Sequence, residues 1–204
     1  WKLFTEVENM GGYVEAFKAG YIVERVKASA AAKDKNIATR RQILLGANQY
    51  PNFTEVAAED VKAEVVTRKT CECNCLKPYR GAMAFEAMRL KVDRSGKTPK
   101  AFMLTCGTLG MARARAQFSC NFFACAGFEV VDNAGFKTVE DGIAAAKEVK
   151  PEIVVICSSD EEYGEGNALK IYEALKDQAI VVLAGNPEGT ADVLKAAGME
   201  YFIH

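Results

Sequence analysis

A chain of 204 residues is long enough for one good core or two small ones, since domains typically run to about 100–150 residues. Half of the residues are apolar and 26% are charged, the balance of a globular protein and not of a disordered or fibrous one. The formal net charge of −1 supplies no positive field to draw the chain onto nucleic acid or an anionic membrane. Apolar runs such as Ile153–Cys157 and 179–185 fall far short of the roughly 20 residues that cross a bilayer.

The first residue is Trp1 and no apolar leader with a basic flank precedes the fold, so the chain reads as a fragment; a tail is also expected to be missing at the other end, where the pattern shows no helix after the last strand. Of seven cysteines, Cys106, Cys120, Cys125 and Cys157 fall inside strand or helix patterns. Free cysteine there behaves as a small buried hydrophobe, a usage that suits a reducing cytoplasm.

In chain order, residues 15–33 carry a helical pattern with Ile22, Val26 and Ala30 aligned, and 43–46 reads as a short strand before a turn at Tyr50, Pro51 and Asn52. Residues 55–69 mix charge and valine without clean periodicity. Residues 79–92 read as a helix, followed by a polar linker over 93–100 with Ser95, Gly96 and Pro99. The main boundary falls in that linker.

From Lys100 onward, short β-rich runs alternate with helical patterns, the sign of βαβ units. Five strands are predicted: 101–106, 128–131, Ile153–Cys157, Ile180–Ala184 and Tyr201–Ile203. They are mostly continuous in apolar residues, as strands covered on both faces must be. The fold class is therefore α/β, a doubly wound, flavodoxin-like, five-stranded parallel sheet. Between the first two strands, Met111, Ala114, Phe118, Phe122 and Cys125 form a stripe expected to lie on the sheet, with Arg113, Gln117 and Asn121 opposite. Gly127 and Gly198 stand where helices end. Thr138 and Asp141 form a capping-box arrangement before Val139, Ile143 and Ala146. Ala168, Ile171, Tyr172 and Leu175 mark a further amphipathic helix. With no helix after the last strand, one flank of the sheet is left for residues 79–92 or a neighbouring chain to cover.

Ligands of open doubly wound sheets bind outside the carboxyl ends of the strands, which directs attention to the loops 106–110, 158–166 and 185–189. Their small residues suit a ligand approaching the backbone, and equally suit tight turns. Neither Gly-x-Gly-x-x-Gly nor a Walker loop is present, and Gly107-Thr-Leu-Gly110 supplies two glycines alone. A phosphoryl-accepting aspartate is poorly supported, because the first strand brings no acidic residue to hold a metal.

Gly11-Gly12-Tyr13, Ile37-Ala38-Thr39, Leu45-Gly46-Ala47-Asn48, Tyr79-Arg80 with Phe85-Glu86 and Arg89, and Asn121-Phe122-Phe123 with Gly127-Phe128-Glu129 occur in an order and spacing that resembles the C-terminal part of the small (beta) subunit of bacterial heterodimeric methylmalonyl-CoA mutase. The resemblance covers nearly the whole chain. It implies a mostly helical tail of a barrel domain over 1–53, a linker over 54–99 with its helix near 79–92, and a cobalamin-binding-like domain over 100–204.

It further implies a heterodimeric partner, the mutase large subunit, which holds adenosylcobalamin through an Asp-x-His-x-x-Gly motif. Counting back from Gly127-Phe128 puts that motif on Gly110 to Arg115, with Ala112 at the histidine position. The chain's single histidine is His204, far from that loop in sequence. The expectation is a non-catalytic subunit of an isomerase, with no catalytic residue, no metal and no cofactor of its own. A vestigial crevice would be lined by Gly107, Thr108, Gly110, Ser158, Ser159, Gly185 and Asn186. The alternatives are a true cobalamin-binding domain whose cofactor keeps its own base on cobalt, and a small-molecule or nucleotide sensor.

Three charged or sulfur clusters have plainer readings. Cys71, Cys73 and Cys75 lack a fourth ligand and the Cys-x-x-Cys spacing of a zinc knuckle. Arg113 and Arg115 at a helix start read as solvated charges. Asp160, Glu161, Glu162 and Glu165 read as an exposed loop at a helix amino terminus.

Overall fold

A computed structural model describes residues 1–56, 76 and 79–204. Cys71, Cys73, Cys75 and most of 55–69 lie outside the described residues. Helices α1 (Lys2–Asn9), α2 (Tyr13–Lys18), α3 (Tyr21–Ala38) and α4 (Met83–Arg94) precede the sheet. Then follow β1 (Lys100–Thr105), α5 (Leu109–Cys125), β2 (Glu129–Val131), α6 (Val139–Val149), β3 (Ile153–Cys157), α7 (Asp160–Gly164), α8 (Asn167–Leu175), β4 (Ile180–Ala184), α9 (Thr190–Ala196) and β5 (Tyr201–Ile203).

The sheet is wholly parallel, in the order β2-β1-β3-β4-β5, the doubly wound arrangement expected. β3, at its centre, is buried along its whole length. Val154, Ile156, Phe102, Leu104, Val181 and Leu183 face one layer, with Ala146, Ile171, Leu175 and Leu194 of α6, α8 and α9. Ala101, Met103, Val155, Cys157, Val182 and Ala184 face α5. Each fully buried aliphatic side chain contributes about 1.5–3 kcal/mol of transfer free energy, so this two-sided core holds the sheet together.

The apolar stripe of α5 lies elsewhere than expected. Ala112, Ala116, Cys120 and Phe123 meet the sheet, whereas Met111 and Phe122 are 49% and 40% exposed. α5 is apolar on two sides, and the narrow alanine side allows the closer approach to the strands. Its outer rings are covered by Arg40, whose guanidinium stands 5.0 Å over Phe118 and 5.3 Å over Phe122.

The amino-terminal region departs from expectation in two places. The helix predicted over 15–33 is broken at Gly20, whose φ of 80° ends α2 and opens α3, a conformation that glycine adopts without steric cost. The break rotates the apolar face, so that Val23 and Ile37 are buried and Val26 is exposed. Residues 43–46 form no strand: Leu45 makes a single bridge to Gln49. The segment is organised by buried Asn48, whose carboxamide accepts from Leu44 N–H and donates to the carbonyls of Ile37 and Gln42.

The predicted helix over 79–92 begins later, at Met83. α4 does not cover the open flank of the sheet. It packs at the carboxyl end of α5, where Arg89 donates to Ala124 O and lies against Gly127. Ile180 and Tyr201, on the α5 face of β4 and β5, are each 51% exposed.

Candidate functional site

The carboxyl ends of β1, β3 and β4 bring together Gly107, Thr108, Ser158, Ser159 and Gly185. The loop after β1 has no side chain at Gly107, where φ is 83°, and a Cβ built there would overlap the carboxylate of Glu162. Gly185, after β4, faces a different group: its Cβ would stand 3.1 Å from the guanidinium carbon of Arg115. The space that small residues open between the three loops is thus filled by the chain's own side chains.

Glu162 enters from the first turn of α7. Ser159 caps that helix and Glu162 returns the bond, a complete capping box. The box also turns the carboxylate inward, where it accepts from Thr108 N–H at 2.9 Å and from the hydroxyl of Ser158. Ser158 is 1% exposed, and its Oγ lies 2.8 Å from Cys106 O, so one hydroxyl ties the ends of β1 and β3 to α7. Burial pushes the Glu162 carboxyl up, but hydrogen bonds from Ser158, Ser159 N–H and Thr108 N–H outweigh it, leaving it below the usual carboxylate range.

Arg115 enters from the second turn of α5. It donates to Ser158 O at 2.5 Å and to Asp160 at 2.6 Å, and lies 5.0 Å over the ring of Tyr163. Tyr163 is 1% exposed. Its hydroxyl accepts from Ser158 N–H at 2.9 Å and is within donating distance of Ile156 O and Ala184 O, at 2.9 and 3.0 Å. Burial holds this phenol protonated, well above the ordinary tyrosine value.

Other expected positions stand apart. Gly110 has nothing within reach of a built Cβ, and Asn186 is exposed. Ala112 is fully buried under α5. His204 follows β5, three strands from β1, or about 14 Å at the ordinary strand spacing. Among the described residues no group of three or more histidine, cysteine or acidic side chains is placed to hold a metal, and no helix is long and apolar enough to cross a membrane.

The two arginines read as solvated are both paired, Arg113 with Asp132 at 3.0 Å and Arg115 with Asp160. The acidic run read as an exposed loop is the short helix α7, with Glu162 directed inward. Ser159 and Glu162 at capping-box spacing carried that signal in the sequence. Thr138 accepts from Asp141 N–H at 3.1 Å, a single cap where the full box was expected. The sequence marks Arg115 only as a charge at a helix start, and no sequence pattern marks Tyr163.

The family model described as methylmalonyl-CoA mutase matches residues 1–116. Over its full length the chain is 47% identical to a protein of Porphyromonas gingivalis named methylmalonyl-CoA mutase small subunit, of which it covers 33%. It is 32% identical, over 94% of the chain, to the probable methylmalonyl-CoA mutase small subunit of Mycobacterium tuberculosis, covering 30% of it. With the small subunit of Streptomyces virginiae it shares 30% identity over 92% of the chain. The chain spans about a third of the length of these relatives.

Proposed function

Because the chain belongs to the methylmalonyl-CoA mutase family, with the small subunits as its similar relatives, we propose that it is the C-terminal part of a non-catalytic small subunit. In this reading it pairs with a large subunit that holds adenosylcobalamin and interconverts methylmalonyl-CoA and succinyl-CoA. Its own contribution is to the stability of that heterodimer. Residues 1–53 would belong to a barrel domain, 54–99 to a linker and 100–204 to a cobalamin-binding-like domain. The four free, buried cysteines among the described residues support placing it in a reducing cytoplasm.

The observation that carries the reading is the filled mouth of the sheet. A cobalamin bound through a protein imidazole needs a histidine after β1 and open space for the displaced base. Ala112 offers a buried methyl group, and Arg115 and Glu162 stand against Gly185 and Gly107. The residues present do not fit that group, so no chemical step is assigned to this chain.

Titration with adenosylcobalamin, followed in the visible spectrum, tests the reading, together with co-purification against a methylmalonyl-CoA mutase large subunit. The expected result is the spectrum of free cofactor at every ratio and a stable complex with the large subunit. Saturable binding overturns it: a histidine-ligated spectrum would make the chain a cofactor carrier, and a base-on spectrum would make it a cobalamin domain of the other type.

A further inference from the structure

Two arginines from the amino-terminal region meet the carboxyl end of α5, and each is held there at a cost. Arg40 follows Thr39, the C-cap of α3. Its φ of 57° is left-handed, the conformation that glycine usually supplies at this place after a helix. A side chain kept on strained backbone points to a role for that side chain. The Arg40 guanidinium stands 5.0 Å over Phe118 and 5.3 Å over Phe122, and donates to Cys125 Sγ at 3.9 Å.

Arg89 reaches the same helix end from α4. Here the glycine belongs to the other partner: Gly127 follows Ala126, the C-cap of α5, with φ of 81°. A Cβ built on it would stand 2.9 Å from Arg89 Nε, so the bare backbone lets the arginine lie across the end of the helix. There Arg89 donates to Ala124 O at 3.3 Å and to Glu55 O. The partial negative charge on the last carbonyls of a helix favours a cation in this place. Arg89 Nε is buried without a hydrogen-bond partner, which disfavours the position, and the bonds from its two terminal nitrogens offset that loss.

The two contacts differ in kind and in origin. Arg40 stacks on rings and comes from the end of α3, whereas Arg89 bonds to backbone carbonyls and joins α4, Glu55 and α5. Ala116, Cys120 and Phe123 hold the other side of α5 on the sheet. The helix is thus packed on the sheet along one side and gripped at its carboxyl end by the amino-terminal region.

We propose that Arg40 and Arg89 form a two-point clamp that makes the amino-terminal region and the α/β domain one cooperative unit, in place of two domains joined by a free linker. The clamp rests on contacts within this chain and is independent of the mutase reading and of the filled mouth of the sheet.

Hydrogen exchange of the whole chain along a urea series, read segment by segment by mass spectrometry, tests it. In the parent, α3, α4 and β3 should lose protection at one common midpoint. With Arg40→Ala and Arg89→Ala together, α3 and α4 should open about 1 M urea earlier than β3, whose midpoint stays in place. Arg40→Gly separates the clamp from a merely local role in the turn. It relieves the strained backbone, so a residue that served only the turn would keep the common midpoint or raise it, whereas loss of the clamp brings α3 forward in urea as alanine does. Separate midpoints in the parent overturn the proposal, as does a common midpoint in the double variant or parent-like behaviour of Arg40→Gly.

Discussion

The guanidinium of Arg115 lies 5.0 Å over the ring of Tyr163, and this pair closes the space between the ends of β3 and β4. The phenol beneath satisfies backbone groups of both strands, while the cation above is held by Ser158 O and Asp160. In other doubly wound sheets this position receives a ligand; here it is occupied by side chains that hold one another.

Removing only the hydroxyl, by Tyr163→Phe, keeps the ring under Arg115 but leaves the buried Ser158 N–H without its acceptor. The expected loss is about 1–3 kcal/mol, read as a lower midpoint in urea denaturation with an unchanged slope. An unchanged midpoint would mean that the hydroxyl bonds are made equally well by water.

Glu162 makes the stability of this corner depend on pH. Its folded-state pKa is below the unfolded value, which is about 4.3. Its contribution is therefore present above that pH and lost as the pH falls through the lower, folded value. Melting temperatures recorded from neutral pH downward should fall less steeply in Glu162→Gln than in the parent. Parallel curves would show that the inward hydrogen bonds confer no net preference for the charged form.

The alkaline side is governed by cysteines. Burial raises both Cys120 and Cys157 to about 12, whereas an unfolded thiol titrates near about 8.5. The stability that accompanies the neutral thiols is complete below about 8.5 and is lost as the pH rises towards the folded value. Iodoacetamide at mildly alkaline pH should leave both residues unmodified in the native chain and label them in urea, as mass spectrometry would report. Labelling at equal rates in both conditions contradicts the burial argument.

Arg40 joins the amino-terminal region to α5 through two rings. Arg40→Ala should cost about 1 kcal/mol, and Arg40→Lys should recover only part of it, since an ammonium lacks the flat face that stacks on phenylalanine. A double-mutant cycle with Phe118→Leu isolates the ring contribution, and a coupling of zero would assign the loss to something other than the stacking.

The sheet was legible because strands covered on both faces are written as unbroken apolar runs. Ile153–Cys157, buried along its whole length, needed no other information, and the half-exposed edge strand Tyr201–Ile203 was legible from its apolar run alone. α5 was misread for a related reason: Met111, Phe118 and Phe122 outweigh Ala112 and Ala116 in any hydrophobic pattern, yet it is the small residues that fit against strands. Gly107, Ser158 and Gly185 were legible as the small residues at a sheet mouth. What fills the mouth was not, since Arg115 and Tyr163 meet Ser158 only through a topology that brings residues 43 and 5 positions away to one point.

The strand order has a consequence for how the chain is made. β1 is flanked by β2 and β3, so a ribosome releasing the chain from its amino end exposes the backbone edges of β1 until residue 157 has emerged. β4 and β5 then add in order at one side. Synthesis therefore passes through a window of about fifty residues, set by this sheet order, in which the hydrophobic strand β1 is complete and only partly paired, the interval in which parallel sheets are most open to chaperones and to aggregation.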